Sequence, residues 1–272
     1  MKDLSNLLFE LSNEDRLAIL FQLEANPMNI TNLAKKLDLK IQEVSRHVSR
    51  LSKSKLIKKN INGYYQITPN GNLVLDQLPG LDFISDHMNY FSTHSTKFLP
   101  LDLRKQFGNL SQGKYVDDVM KVYQNVGNVM REAKDYVLAI VDQDTMKLSF
   151  WEPIMSSALP AIKNLVERKV KINFIEPKSW KPSSDNFQVN NEEKRLVSQA
   201  MKAGLLEHRD LEKSEVFLYM SEKEVAILGF PTLVEGFDHL GFTSDDEQFR
   251  YWCKNLFMYY WEKAKQLSNP II

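Results

Sequence analysis

The sequence predicts a two-domain protein of mixed α+β and α/β class, with a helical segment joining the domains. Two observations support this class. Short amphipathic helices and a β-hairpin occupy the first part of the 272-residue chain, whereas apolar strands alternate with helices in the second part. We therefore predict a first domain over 1–78, a helical connector over 79–110 and a second domain over 111–272.

Bulk composition excludes several classes of protein. The chain is 43% hydrophobic and 26% charged, with 35 basic and 35 acidic residues, as in ordinary globular proteins. No apolar run approaches the roughly 20 residues that span a bilayer, and early acids argue against a signal peptide. The single cysteine, Cys253, excludes an internal disulfide framework. We expect a cytoplasmic protein that does not associate with membranes.

Positive charge is concentrated between residues 29 and 75. This stretch holds nine lysines and arginines against two acids, Asp38 and Glu43, so its net charge is +7 and the rest of the neutral chain carries −7. A basic block within a neutral protein indicates a module that binds phosphates. A solvated lysine surface is the alternative.

Helical periodicity within this block points to a specific fold. Residues 13–25 form an amphipathic helix that Asn26-Pro27 ends. A second helix starts near Thr31, and a short turn around 38–40 leads into a third helix over 41–55. Two short helices joined by a tight turn, the second of them basic on its outer face, are typical of a helix-turn-helix.

The residues after the third helix predict a β-hairpin. LIKKNINGYYQIT consists of two short extended runs around Asn62-Gly63, a strong hairpin signal. Thr68-Pro69 then predicts a helix start, with threonine as the N-cap and proline at the first helical position. A hairpin placed directly after a helix-turn-helix is a wing.

The run ITNLAKKLDLKIQEVSRHVSRLSKSKLIKK…YYQITPNG resembles the winged-helix domain of prokaryotic regulators of the ArsR type. The resemblance covers about residues 10–78 and implies a domain that binds double-stranded DNA. Lys55 departs from the family, which usually has glycine there, so the turn into the wing is expected to be strained or different. The domain has no cysteine and no clustered histidines, so we expect neither metal nor cofactor.

The third helix presents a polar face opposite Val44, Val48 and Leu51. Arginine can bridge guanine and glutamine can bridge adenine, so Gln42 and Arg46 are the predicted base-reading residues. The other predicted DNA contacts, mainly to phosphates and backbone, are Ser45, Ser49, Arg50 and Lys53 on the helix and Lys58, Lys59 and Tyr64 on the wing. His47 flanks the apolar face, where it either packs or contacts a phosphate.

Apolar residues recur at helical spacing through the connector. They are Leu73, Leu78, Leu81, Ile84, Met88 and Phe91, interrupted at Pro79-Gly80. A dimer partner would cover this stripe, because a regulator that reads two half-sites needs two-fold symmetry. We therefore predict a homodimer, with packing on the chain's own second domain as the alternative.

The second half alternates strands and helices. YVLAIVDQ, VKINFIEP and LLEHRDL are predicted strands, and EVFLYMSEKEVAILGFP is a predicted hairpin turning at SEKE. A long C-terminal helix follows Ser244–Glu247, a capping-box sequence. This pattern predicts a sandwich-like α/β domain with a partly parallel sheet and helices on its faces.

The stretch FLYMSEKEVAILGFPTLVEGFDHLGFTSDDEQFRYWCKNLFMYYWEKA resembles the end of the effector domain in archaeal winged-helix regulators of the methanogenesis and filamentation type. The similarity rests on Phe237-Asp238 and on a largely aromatic segment that contains Leu256, Phe257, Tyr259 and Tyr260. It implies a sensor domain without implying its ligand.

Enzymatic motifs are missing from the sequence. Such domains are distantly similar to phospholipase D-like folds, which need an H-x-K-x4-D run, yet neither His208 nor His239 is followed by that pattern. The sequence also lacks G-x-S-x-G, P-loop, G-x-G-x-x-G and H-E-x-x-H motifs. We expect no catalysis.

A small-molecule effector is predicted to bind beyond the strand ends of the α/β domain. Tryptophans there can stack on a planar ligand and cations can pair with an anion. The candidate residues are Trp151, Glu176, Lys178, Trp180, Arg209 and Asp238. Aromatic packing in the core or in a dimer interface is the alternative for the tryptophans.

Together these features predict a DNA-binding transcriptional regulator whose second domain senses a small molecule or mediates protein contacts. A non-sensing architectural or partner-docking protein anchored to DNA is the alternative. A hydrolase with a winged-helix appendage is disfavoured by the missing motifs.

Overall fold

The computed structural model describes residues 1–142, 144–145, 160–178, 191–234 and 236–266, without the side chains of 191–194. The chain divides into two compact units, Met1–Pro79 and Gly80–Ile272. Within the described residues, no helix is both long enough and apolar enough to cross a membrane.

The first unit contains five helices and one hairpin. Its elements are α1 (Lys2–Leu11), α2 (Glu14–Ala25), α3 (Ile30–Leu37), α4 (Ile41–Lys53), β1 (Ile57–Lys59), β2 (Tyr65–Ile67) and α5 (Pro69–Leu75). Asparagine side chains cap α2 and α3 by accepting hydrogen bonds from backbone N–H groups three residues ahead. Thr68 caps α5 in the same way with Pro69 at the first helical position, which confirms the predicted helix start.

The core of this unit is built around one face of α4. Val44, Val48 and Leu51 are at most 1% exposed and pack with apolar residues of α2 and α3, including Ile19 and Leu33. Burying one such side chain stabilises a fold by about 1.5–3 kcal/mol. This packing therefore fixes the rotation of α4 about its own axis.

The β-hairpin lies directly after α4. β1 and β2 are antiparallel, with Ile57 opposite Ile67 and Lys59 opposite Tyr65. Asn60 organises the turn, since its side-chain oxygen accepts hydrogen bonds from the N–H groups of Asn62 and Tyr64, both at 3.0 Å. Asn62-Gly63 therefore lies in the turn of a β-hairpin, as predicted.

Lys55 connects α4 to β1 in the left-handed conformation, with φ of 60°. This is the position where we expected a lysine to be strained, because its Cβ crowds the following carbonyl oxygen. The chain accepts the conformation because Leu56 and Ile57, immediately after it, are buried in the core.

An ion pair joins α1 to α4. The Glu10 carboxylate accepts two hydrogen bonds from the Arg50 guanidinium, at 2.7 and 2.9 Å. Arg16 lies on the other side, 3.3 Å from the same carboxylate. The hydrogen bond from Arg50, with the charges of both arginines, lowers the pKa of Glu10 despite its burial.

The second unit is a large mixed sheet with helices on both faces. Its strands are β3 (Lys114–Val116), β4 (Tyr136–Ile140), β5 (Lys171–Pro177), β6 (Leu206–Leu211), β7 (Phe217–Ser221), β8 (Val225–Gly229), β9 (Gly241–Ser244) and β10 (Lys265–Gln266). Its helices are α6 (Leu78–Asp86, which starts in the first unit), α7 (Met88–Thr93), α8 (Leu101–Lys105), a 3₁₀ helix (Phe107–Leu110), α9 (Val119–Glu132), α10 (160–167), α11 (Asn191–Lys202) and α12 (Glu247–Lys263).

The strand order is β10-β6-β5-β4-β7-β8-β9-β3. β4, β5 and β6 are parallel to one another, and the other pairs are antiparallel. The predicted partly parallel sheet is therefore present, and β7 and β8 form the predicted hairpin. The short strands β3, β9 and β10 were not predicted.

The start of α12 differs from the prediction. Ser244 belongs to β9, and the helix begins at Glu247 with Asp246 as its N-cap, accepting from the Phe249 N–H at 2.9 Å. Ser244 does not cap the helix because it lies in β9, where its hydroxyl donates to the Gln112 carbonyl at 3.0 Å and accepts from the Asp246 N–H at 3.2 Å. The aromatic face of α12 is buried against the sheet, including Phe249, Trp252, Leu256 and Tyr260.

The expected connector is part of the second unit from Gly80 onward. Phe83 and Tyr90 are buried in the core beside Phe242, so one side of α6 and α7 packs on the unit's own sheet. The opposite side leaves three apolar side chains exposed, which we call the exposed stripe: Leu81, Ile84 and Met88, at 57%, 39% and 63% exposure. Of the six residues predicted as one stripe, Phe91 is partly buried against the core of the second unit and Leu78 against that of the first, whereas Leu73, Leu81, Ile84 and Met88 are exposed.

Because Lys55 is in the left-handed conformation, replacing it with glycine should stabilise the first unit. Lys55→Gly should raise the free energy of unfolding of Met1–Pro79 by up to about 1 kcal/mol, because glycine avoids the left-handed penalty and loses only part of that gain to chain entropy. Native-state hydrogen exchange of the α4 amides would measure it.

Lys53→Gly is the matched control, since Lys53 lies within α4. It should lower the same free energy by about 0.5–1 kcal/mol. Destabilisation by both glycines would contradict this account of Lys55.

Candidate functional sites

The outer face of α4 carries a line of polar side chains. Gln42, Arg46, Ser49 and Lys53 are exposed and follow one another at three- and four-residue spacing. At 1.5 Å per residue the line is about 16 Å long. Ser45 lies exposed beside it. The structure therefore brings five of the predicted helix contacts together on one accessible surface.

Local geometry fixes where this line starts. Asp38, at φ of 53°, ends α3 in the left-handed conformation and allows the tight turn into α4. Glu43 then reaches back to accept a hydrogen bond from the Lys40 N–H at 3.3 Å. One of the two acids in the basic block is thereby engaged in capping, at the end of the helix where negative charge is favourable.

The hairpin adds a second polar surface to the first unit. Lys58 and Lys59 are exposed on β1, and Tyr64 is 38% exposed in the turn. The Lys59 ammonium lies 5.8 Å from the centre of the Tyr65 ring, so a cation–π contact orients it. The predicted hairpin contacts are all accessible.

Arg50 differs from the other predicted contacts. Its guanidinium is held by Glu10 and lies 5.1 Å from the centre of the Phe9 ring, leaving the side chain 38% exposed. Its predicted phosphate contact stays a prediction, but the side chain already joins α1 to α4. The sequence carried no local signal for a partner 40 residues away.

His47 is packed in the interior of the first unit, which is one of the two roles expected for it. It is 4% exposed, and its Nε2 lies 3.5 Å from the Asp15 carboxylate on α2. Burial lowers the pKa of His47, while the Asp15 charge opposes that change. His47 therefore belongs to the interior of the unit.

In the second unit, the two cations predicted to bind an effector already have partners. Lys178 forms an ion pair and hydrogen bond with Glu212. Arg209 donates to Glu207 at 2.9 Å and lies over the Trp261 ring at 4.2 Å. Trp151 and Trp180, the predicted stacking residues, lie outside the described residues.

The two acids predicted at this site also have partners. Glu176 is buried, with its carboxylate 3.7 Å from His208 Nδ1. Asp238 accepts from His94 Nε2 at 3.0 Å. Burial would raise the pKa of Asp238, but the hydrogen bonds from His94 and the Leu240 N–H outweigh it and lower the pKa. Asp238 lies in the β8–β9 loop and Glu176 on β5, and each carboxylate is engaged by a different histidine.

A third histidine–carboxylate pair, Asp142–His239, was not predicted from the sequence. Asp142, which follows β4, accepts hydrogen bonds from the Thr145 hydroxyl at 2.6 Å and from the Asp144 N–H at 2.7 Å, and lies 3.1 Å from His239 Nε2. Burial alone would raise the pKa of Asp142, but these bonds and the His239 charge lower it. The sequence signal that could have indicated this pair is the position of two acids, in the DQD sequence over 142–144, directly after an apolar strand.

This arrangement joins three buried side chains. The Thr145 hydroxyl donates to Asp142 and lies 3.2 Å from His239 Nε2, and Asp142, Thr145 and His239 are all at most 2% exposed. His239 is held at φ of 61°, in the left-handed region. The pair therefore anchors the β8–β9 loop to the end of β4.

The described part of the chain holds no group of three or more histidine, cysteine, aspartate or glutamate side chains that could hold a metal ion. His87 is instead packed between aromatic rings, with its centre 4.8 Å from those of both Phe83 and Phe242.

Comparison with known proteins identifies one domain. Residues 11–60, from the end of α1 to the hairpin turn, match the family model described as "Helix-turn-helix domain". No curated protein matches the chain. Among solved structures, TrmBL2, titled an archaeal chromatin protein with a novel mode of DNA binding, is 15% identical, with 94% of both chains covered and a TM-score of 0.38.

A second solved structure is an O-methyltransferase family protein from Burkholderia thailandensis. It is 10% identical, with 75% of this chain and 63% of that chain covered and a TM-score of 0.26. Both TM-scores are too low to establish a shared fold. The first unit thus contains a helix-turn-helix domain, and a mixed α/β unit with a large sheet follows it.

Proposed function

We propose that the chain is a DNA-binding transcriptional regulator in which Met1–Pro79 acts as a winged helix. In this proposal α4 enters the major groove of double-stranded DNA, and the β1–β2 hairpin is the wing that contacts the adjacent backbone. The observation that carries it is the exposed line of Gln42, Arg46, Ser49 and Lys53 opposite a fully buried apolar face.

The chemistry of that line divides into two roles. The Arg46 guanidinium can donate two hydrogen bonds to guanine, and the Gln42 amide can both donate to and accept from adenine. Ser45, Ser49 and Lys53 would hold phosphates, which orient the helix without reading sequence. A major groove about 12 Å wide admits one helix, so α4 is the reading element.

We propose further that the regulator is a homodimer. Two copies would place two recognition helices on half-sites related by two-fold symmetry. The exposed stripe on α6 and α7 supports this, since one apolar line is left uncovered while the opposite side of the same helices packs on the sheet. Dimerisation would bury it.

The second unit would sense a small molecule or bind a protein rather than catalyse a reaction. Its His–carboxylate pairs support this role, because each of them is engaged internally. A change in this unit would alter DNA affinity through the geometry of the dimer.

DNA affinity should separate the two roles of the basic residues. Arg46→Ala should weaken binding at the cognate site by about 1–3 kcal/mol and change binding to random duplex little. Lys58→Ala with Lys59→Ala should weaken both duplexes alike and reduce the salt dependence by about one unit of slope per lysine. Fluorescence anisotropy over a range of salt concentrations would measure both.

Arg104→Ala, an exposed arginine of α8, is the matched control for the loss of one guanidinium. It should leave both affinities unchanged. Equal losses on cognate and random duplex for Arg46→Ala would overturn its base-reading role.

The oligomeric state of a variant tests whether the exposed stripe is the dimer interface. Leu81→Asp with Ile84→Asp should convert the dimer to a folded monomer that loses most of its operator affinity, because a buried interface cannot accept unpaired carboxylates. Analytical ultracentrifugation and the same anisotropy assay would measure the two effects.

Tyr251→Asp with Met258→Asp provides the control, since these side chains of α12 are 63% and 40% exposed. This variant should remain dimeric. A dimer that survives the first pair of changes but not the second would place the interface on α12 instead.

A further inference from the structure

The second unit contains a cavity of about 340 Å³ that none of the sequence motifs indicated. It lies at the edge of the sheet where β4 and β8 end, because Ser214 in its wall donates to the Val141 carbonyl and Pro231 follows β8. In sheets of this kind, ligands bind beyond the carboxyl ends of strands. The cavity therefore occupies a position suited to a ligand.

Two lysines give the cavity a positive character. Lys97 and Lys213 line it, are exposed, and have no ion-pair partner among the described residues. One acid, Glu215, also lines it and keeps its charge while accepting from the Tyr260 hydroxyl at 3.2 Å, so two lysines against one glutamate leave the described lining with a net charge of +1. Lys178 and Arg209, in contrast, are already paired with glutamates. The cavity lysines are thus available for an anion.

The rest of the lining is largely apolar. Phe98, Leu233 and Val234 border the cavity and are 42%, 59% and 97% exposed, and Pro231 is buried. Exposed apolar side chains beside the Lys97 and Lys213 ammonium groups, which have no ion-pair partner within the described ranges, form an amphipathic surface. A ligand that satisfies both would combine one anionic group with an apolar body.

The walls of the cavity are held in place before any ligand binds. The segment over 93–95 pairs with the β8–β9 loop through the Ser95 N–H to the Pro231 carbonyl and the Leu233 N–H to the Thr93 carbonyl, each at 2.8 Å. His94–Asp238 and His239–Asp142 anchor the same loop. The buried pairs therefore acquire a function as supports of the cavity, which lowers the entropy lost on binding.

We propose that this cavity binds a small amphipathic anion, a carboxylate or a phosphate monoester carrying an apolar chain or ring. The Lys97 and Lys213 ammonium groups bind the anion, and Phe98, Leu233 and Val234 cover the apolar body. This inference rests on the proposed role of the second unit as a sensor. Ser95 follows α7 by two residues, so an occupied cavity would act directly on the helix that carries Met88 of the exposed stripe.

Isothermal titration calorimetry on the full chain, with hexanoate, hexyl phosphate and hexylammonium as probes, tests the proposal. At least one anion should bind and hexylammonium should not, and the stronger anion identifies the headgroup as carboxylate or phosphate. Acetate and inorganic phosphate should bind more weakly than their hexyl counterparts because they lack the apolar body.

Lys97→Ala with Lys213→Ala should weaken binding of the preferred anion by about tenfold or more, as expected for the loss of one or two charge-assisted hydrogen bonds. Lys171→Ala with Lys223→Ala is the matched control. These exposed lysines lie at the opposite edge of the sheet, where β5 starts and β7 turns into β8. The control variant should bind as tightly as the unchanged chain.

The proposal is overturned if no anion binds, if hexylammonium binds as well as the anions, or if the cavity variant binds as the control does. Circular dichroism of both variants would show that each is folded. DNA affinity of the unchanged chain separates the two proposals: if none of the anions binds while DNA binds, the cavity proposal alone is contradicted. If an anion binds but DNA does not, the proposal that the chain is a DNA-binding regulator is contradicted and the cavity proposal is not.

Discussion

The burial of one apolar face of α4 is the constraint on which the first unit depends. Val44, Val48 and Leu51 can enter the core only at one rotation of the helix, and that rotation places Gln42, Arg46, Ser49 and Lys53 outward. Turning α4 by one residue, about 100°, would bury polar side chains without partners. The same hydrophobic packing that stabilises the unit thus determines which side chains can meet DNA.

Electrostatic pairing refines this arrangement. The Glu10–Arg50 ion pair attaches α1 to the recognition helix and engages one of the basic residues that the sequence placed on the DNA-binding face. In the second unit, His94–Asp238 and His239–Asp142 perform a comparable task by fixing the β8–β9 loop. In both units buried or half-buried charge holds structure together, and the exposed cations without an ion-pair partner in the described part of the chain are those available to ligands.

Local signals explain what the sequence could predict. Residue spacing identified the buried and exposed faces of α4, Asn62-Gly63 identified the hairpin turn, and Thr68 identified the start of α5. Apolar runs likewise located β4 to β8. Contacts between distant residues were beyond these signals. The Glu10–Arg50 and Asp142–His239 pairs join residues 40 and 97 positions apart, and the strands β3 and β10 are too short for a recognisable period.

The predicted effector site illustrates the same limit. Lys178 suited an anion by residue type, but folding brings Glu212, 34 positions away, beside it. Arg209 is paired with Glu207, two positions before it on β6, which the alternation of the strand could have indicated. Lys97 and Lys213 carried no motif, yet they line a cavity because three separate loops meet at one sheet edge. Residue type predicts the chemistry of a side chain, whereas the topology of the sheet determines which partners are left for it.

Lysine reactivity offers the most direct test of the claim that the outer face of α4 and the hairpin bind DNA. The full chain would be acetylated with and without saturating duplex DNA, and the modification at each lysine measured by mass spectrometry. The account predicts that DNA protects Lys53, Lys58 and Lys59, while Lys171 and Lys223 in the second unit react equally in both samples. Unchanged reactivity of Lys53, Lys58 and Lys59 in the presence of bound DNA would contradict it.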